Sequence, residues 1–339
     1  MRFAVAATLL FLSAGTSWAQ TDRVYRTDGK VISGKIEKVF RQGVSLKTGG
    51  KTENIAAGQI VKILHQGDPP GLTKGREFAL DGQYDQALEE LRSVDLEDLP
   101  REVIRADAEF FRFYSQGKLA LSGRADRGAV IKAAREFASK NPQNWHFYDT
   151  AVLLGDLAIA TGDFDRAIAY YKSLGSAPTK ASQIQAKYLV GVAKLAKGDL
   201  AAAAEDLKLV TGVDVGTIEG ARLKTLAQAK LAETLAKSGQ GDEALELADG
   251  LVADLDTLDV DLAARVYNSR GAVYEALGDD EGAVLAYLHT DLMFGSVADA
   301  HALALSRLAD LWTKVGKPDR AAKTNQELKR RYPGYQTPG

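Results

Sequence analysis

A glycine recurs along most of this 339-residue chain, at Gly82, Gly123, Gly162, Gly198, Gly239, Gly278 and Gly316. Successive copies stand about 36 to 41 residues apart, a spacing in the range of stacked helical repeats. Five positions after each comes a small side chain, namely Ala87, Gly128, Ala167, Ala203, Ala244, Ala283 and Ala321. Seven positions before come Gly75, Gln116, Gly155, Gly191, Ala232, Gly271 and Ala309. The spacing has a physical reading. Two helices of a hairpin approach closely only where one offers a small side chain at the crossing. The glycine between them takes the left-handed conformation that ends the first helix. Asp163, Phe164, Asp199, Leu200 and Tyr84 then start and seat the second.

GQYDQA at 82–87, GDFDRA at 162–167 and GDLAAA at 198–203 resemble the helix–turn–helix unit of the tetratricopeptide repeat family. The larger residue four before the turn glycine is matched at Phe78, Tyr274 and Trp312, and the closing proline at Pro333. The period is longer than that family's own, which is roughly 34 residues. Longer helices or loops are therefore expected, and the second copy, with Gln116 and Gly128, is degenerate. The resemblance implies a mainly α, right-handed α-solenoid of about seven hairpins over 73–332. It also implies a protein or peptide partner in the groove lined by first helices, at positions ten and six before each turn glycine. In this sequence those are Leu72 and Arg76, Phe113 and Gly117, Val152 and Asp156, Tyr188 and Val192, Ala229 and Glu233, Asn268 and Ala272, Ser306 and Asp310. Only Arg76 and Asn268 suit the family's clamp for a terminal carboxylate, so no clamp of that kind is expected.

The chain begins with Met1-Arg2, an apolar run from Phe3 to Ala14, and Ser17-Trp18-Ala19. This is the pattern of a secretory signal peptide over 1–19 cleaved after Ala19, and the run is short for a membrane span. Export to a bacterial periplasm, or secretion, is the expectation. There is no cysteine, hence neither disulfide nor lipidated N-terminus.

Between 20 and 66 the pattern changes to short alternating runs at Arg23–Thr27, Val31–Phe40, Val44–Thr48, Thr52–Ile55 and Ile60–Leu64. Asp28-Gly29 and Gly49-Gly50 signal tight hairpins, and Gly34 a bend in the long second run. Val24 to Ile36 resembles an SH3-like or Sm-like strand pattern, so a small five-stranded β-barrel is expected. A Pro-Gly linker at 67–72 precedes the repeats, and the tail 333–339 is expected to fray.

Charge is nearly balanced overall but unevenly spread. Residues 21–66 hold nine Lys and Arg against four Asp and Glu, a net +5, leaving −8 for 67–339. A basic surface at Lys30, Lys35, Lys38, Arg41, Lys47 and Lys51 is one candidate site, for an anionic envelope polymer or glycan with the array as spacer. The export signal disfavours nucleic acid.

Catalytic signatures are missing from the sequence. His65, His146, His289 and His301 lack metal-ligand spacing, and no nucleophile elbow, zinc helix or phosphate loop is present. No enzyme, cofactor or metal is expected. Two aromatic clusters, Phe110-Phe111-Arg112-Phe113-Tyr114 and Trp145-His146-Phe147-Tyr148, cannot place every ring on one helix face. Some must pack on the barrel or on adjacent helices, or anchor a partner. Arg76, Phe113, Tyr114, Trp145, Tyr148, Val152 and Tyr188 are the predicted binding residues. The function expected is an exported, non-catalytic scaffold of the cell envelope.

Overall fold

A computed structural model describes residues 21–213 and 216–336. The expected leader, 1–19, lies outside them. Five antiparallel strands come first: β1 Asp22–Arg26, β2 Val31–Phe40, β3 Gly43–Thr48, β4 Lys51–Ala56 and β5 Ile60–Leu64. They form one sheet of order β4-β3-β2-β1-β5. The strand boundaries follow the alternation closely. Inward-pointing Val24, Ile36, Val44, Leu46, Ile55 and Ile63 are buried. A Cβ at Gly34 would lie 2.4 Å from the Lys47 carbonyl oxygen, which explains the glycine where β2 crosses β3. The expected barrel closure has no ladder behind it: among the described residues none joins β4 to β5.

Seven helix hairpins follow, as the glycine period requires. They are α1 Pro70–Leu80 with α2 Tyr84–Arg92, α3 Glu102–Leu121 with α4 Arg127–Lys140, and α5 Phe147–Ala160 with α6 Phe164–Ser173. Next are α7 Lys180–Lys197 with α8 Leu200–Thr211, and α9 Ile218–Lys237 with α10 Gly241–Ala253. The last two pair α11 Val260–Leu277 with α12 Asp280–Met293, and α13 Ala298–Lys314 with α14 Pro318–Arg331. All seven turn glycines have φ between +71° and +86°, a conformation costing other L-residues roughly 1–2 kcal/mol. Asp163, Asp199 and Asp279 cap the next helix, each accepting from the amide three residues on.

The small residue seven before the glycine faces the residue nine after it. A Cβ on Gly155 would lie 2.2 Å from Cε1 of Tyr171, one on Gly271 2.7 Å from Tyr287, and one on Gly75 2.5 Å from Leu91. A large ring or Leu therefore fills the space each glycine leaves, and in the fifth hairpin Ala232 and Ala248 occupy the two positions. The degenerate second copy solves the same problem elsewhere. Gln116 is exposed, and the close approach moves to Gly117, whose Cβ would lie 2.7 Å from Leu153 of α5.

Two expectations, for the linker and for the tail, are corrected. The linker is shorter than 67–72, because α1 starts at Pro70, whose missing N–H costs nothing in a first turn. The sheet packs directly on the array, its core continuing into Trp145, Tyr148, Ala151, Leu174, Ala177 and Ala186. The tail does not fray through 333–336, since the Gly334 amide donates to the Gly123 carbonyl at 2.8 Å.

Candidate functional site

The sheet seats on the N-terminal ends of three successive first helices. Arg101, the N-cap of α3, holds Asp22 of β1 with two bonds of 2.5 and 3.1 Å. Arg41, after β2, donates to the Pro142 carbonyl and lies 3.9 Å over the Phe147 ring where α5 begins. A Cβ on Gly58, before β5, would lie 2.7 Å from both Thr179 and Ser182 at the start of α7.

A buried ionic cluster locks this junction. Arg76 of α1 is completely buried; its Nε and Nη2 donate to Asp107 of α3 at 2.8 and 2.5 Å, and Nη1 lies 3.0 Å from Asp68. The other Asp107 oxygen meets His146 Nε2 at 2.7 Å. His146 is sandwiched between the rings of Phe110 and Trp145, at 3.6 and 3.8 Å. Burial pushes the Asp107 carboxyl up, but Arg76 and His146 outweigh it and hold the pKa well below the usual range. For Asp68 burial prevails over Arg76, and its pKa rises.

Four of the predicted binding residues are thereby removed from the surface. Arg76 serves the ionic cluster. Phe113 packs on Phe110 and Phe137. Trp145 and Tyr148 are buried against the sheet, with the Tyr148 hydroxyl donating to the Ser176 carbonyl at 3.0 Å. The aromatic clusters are mainly core: Trp145, Phe147 and Tyr148 pack with the sheet, whereas Phe110, Phe111 and Phe113 pack among the helices of the first three hairpins. Leu72, Ala229, Glu233 and Asn268 are buried too; Asn268 donates to the Ala300 carbonyl, and Lys230 and Lys237 hold Glu233 down to about 2 against its burial. Of the basic surface, Arg41 is committed to α5, Lys30 pairs with Asp28 and Lys47 with Glu37. Lys35, Lys38 and Lys51 are exposed.

Tyr114, Val152 and Tyr188 remain partly open, and they lead to the site. Tyr84, in the first hairpin, has its pKa pushed up to about 12, chiefly by burial, with Asp299 of the seventh hairpin and Asp261 of the sixth adding to the effect. Lys118 of α3 is held charged by Tyr114 first, then by Asp156 of the third hairpin and Asp299. Tyr188 of the fourth rises to about 12 by burial, opposed by Arg265 and Arg222. These side chains come from every part of the array, and each still keeps some exposure. The Gly334 amide, past the seventh hairpin, bonds the Gly123 carbonyl in the turn of the second, so the array curls round the inner face that carries them.

In the later hairpins this inner face carries charges that the ten-and-six rule missed. Arg222, Asp261 and Asp299 each lie seventeen positions before a turn glycine, and Arg265 thirteen before. With the minus-ten and minus-six positions these share one helical face. They form a ladder between neighbouring hairpins: Arg222 bonds Asp259 at 2.8 Å and also Asp261, and Arg265 bonds Asp261 at 2.9 Å and Asp299 at 3.1 Å. Lys118 stands apart. Its Nζ lies 5.3 Å over the Tyr114 ring, and no ion pair to a carboxylate engages it among the described residues. Asp156, whose pKa burial raises against Lys118, accepts from the Tyr171 hydroxyl at 2.7 Å.

Residues 148–174, the third hairpin, match the tetratricopeptide repeat family model. Among solved structures, the fold is similar to a Rap protein complexed with competence and sporulation factor, at 15% identity and TM-score 0.56, over 78% of this chain and 76% of that one. It is also similar to a tetratricopeptide repeat protein from Parabacteroides merdae, at 14% identity and TM-score 0.49, over 77% and 91%, and to the apo form of RapI, at 15% and 0.46, over 77% and 75%. No curated protein matches the sequence. The family match over one hairpin and the likeness to the Rap protein together support a tetratricopeptide-type array for the helical part. No helix among the described residues is long and apolar enough to cross a membrane.

Proposed function

We propose that this chain is an exported, non-catalytic scaffold of the cell envelope that holds a segment of a partner protein against the inner face of its array. The observation that carries the reading is Lys118: an ammonium without a carboxylate partner among the described residues, beside the Tyr114 ring on a surface enclosed by the other hairpins. Such a group is suited to an acidic side chain or carboxylate of an extended segment, with Tyr84, Tyr114 and Tyr188 offering amphipathic contact area. The fold-similar Rap protein was solved in complex with a factor, which agrees with a binding role. Export rests on the leader pattern of residues 1–19, and processing after Ala19 gives a mature chain that starts at Gln20.

The test is capture from an envelope extract by the mature chain and by Lys118→Ala with Tyr188→Ala. Loss of the captured protein with unchanged helicity supports the inner-face reading; undiminished capture contradicts it.

The exposed Lys35, Lys38 and Lys51 favour a second reading, an anionic polymer or glycan on the sheet, which need not be a closed SH3-like barrel to bind one. Binding to heparin as a model polyanion would then fall steeply with salt and with alanine at these three lysines.

A further inference from the structure

The sheet covers the N-terminal ends of α3, α5 and α7 and stops there. The same edge of the array continues uncovered over α9 and α11, and a cleft of about 830 Å³ opens between α9, α10 and the loop into α11. Its floor is apolar: Leu247 and Leu251 of α10, Leu255 of the loop and Leu262 of α11. Ile218, 85% exposed, stands at its rim, and Leu258, 87% exposed, projects from the same loop. Large side chains left this open on a continuous edge mark a contact surface.

The rim also has a sign. Glu243, Glu246, Asp254 and Asp256 line the cleft and are exposed, and no basic side chain pairs with them among the described residues. The single cation of the lining, Arg222, is already committed to Asp259 and Asp261. On the covered half of the same edge, the sheet meets the array with apolar side chains and a cation, Arg41.

We propose that this cleft, which borders the inner face at Arg222, is a second docking surface and that it takes a short basic amphipathic segment of a partner protein. The segment's apolar side chains, on one helical face, fill the leucine floor. Its Lys and Arg side chains meet the four carboxylates. The cleft is too apolar for a purely polar polycation, and its rim repels an acidic segment.

The probe is a synthetic 18-residue helical peptide with Leu at i, i+3, i+4 and i+7 and Lys elsewhere. Its control carries the same Leu pattern with Glu in place of Lys. Fluorescence anisotropy with the full mature chain is expected to show binding of the Lys peptide alone, weakened at least tenfold between 50 and 500 mM salt. Glu243→Lys with Glu246→Lys, and separately Leu251→Asp, should each weaken it at least tenfold. Glu89→Lys with Glu205→Lys, which changes net charge equally at exposed sites elsewhere, should not, and neither should Lys118→Ala with Tyr188→Ala on the inner face. Circular dichroism checks that each variant stays folded. Failure to bind, equal binding of the Glu peptide, or equal loss in the Glu89/Glu205 control overturns the proposal. So does a concentration-dependent dimer in sedimentation that Leu251→Asp abolishes, which would make the occupant a second copy. Loss only in the inner-face variant would overturn it too, by moving the peptide to that face.

Discussion

The amide of Gly334 donates to the carbonyl of Gly123 at 2.8 Å, joining the last described residues to the turn of the second hairpin. Around that bond, Arg127 reaches Gln336, and Tyr332 is buried with its hydroxyl 2.8 Å from His301. A contact between the second hairpin and the chain's far end closes the curl of the array and makes its inner face an interior.

Gly123 answers to two constraints. Its φ is +76°, and a Cβ there would lie 2.0 Å from the Tyr335 amide nitrogen. Gly123→Ala should therefore release the tail as well as strain the turn, whereas Gly162→Ala, with open space around it, strains only its turn. Small-angle scattering should show a larger radius of gyration for Gly123→Ala and no change for Gly162→Ala.

Gly155 is set by packing. Gly155→Ala drives a methyl into the Tyr171 ring, at a cost of about 1–3 kcal/mol. Pairing it with Tyr171→Leu should recover part of that loss. Urea unfolding of the two single variants and the double variant measures the coupling.

How much of this is legible in the sequence differs by residue. The glycine period and its small partners mark the seven hairpins directly, because each constraint acts within a single hairpin. The strands are legible for the same local reason. Burial of Arg76 is not, since its partners Asp68 and Asp107 meet only when the linker, α1 and α3 fold together. Nor is the fate of Trp145 and Tyr148, which depends on the sheet packing back on α5. One signal does stand in the sequence for the inner-face ladder: Arg222, Asp261 and Asp299 recur seventeen positions before their glycines, and Arg265, four after Asp261, supplies the cation that joins the two aspartates.

The Arg76–Asp107 pair should dominate stability at the junction. Asp107→Asn leaves a guanidinium buried beside a weaker partner, and removing one member of a buried pair costs about 3–5 kcal/mol. Equilibrium unfolding in urea checks the size.

The same carboxylates set the acid response. Asp22 and Asp107 are both depressed: burial opposes ionisation, but His65 and Arg101 in one case and Arg76 and His146 in the other prevail. A depressed carboxyl contributes stability above its unfolded pKa of about 3.9 and loses it as pH falls through the folded value. Asp68, raised by burial, acts with the opposite sign, stabilising below that pKa and losing the contribution as pH rises through its own. Stability should therefore drop steeply below about pH 4, and Asp22→Asn should flatten that slope. Urea midpoints between pH 2 and 6 measure it.

The most direct test of the account places a photo-crosslinking phenylalanine analogue at Tyr188 on the inner face, and at Leu209, exposed on α8, for comparison. Irradiation of source cells, followed by mass spectrometry of the products, reads the outcome. The account predicts a discrete partner protein crosslinked from position 188 and absent from position 209. A partner crosslinked from 209 alone, or no protein crosslinked from 188, would contradict it.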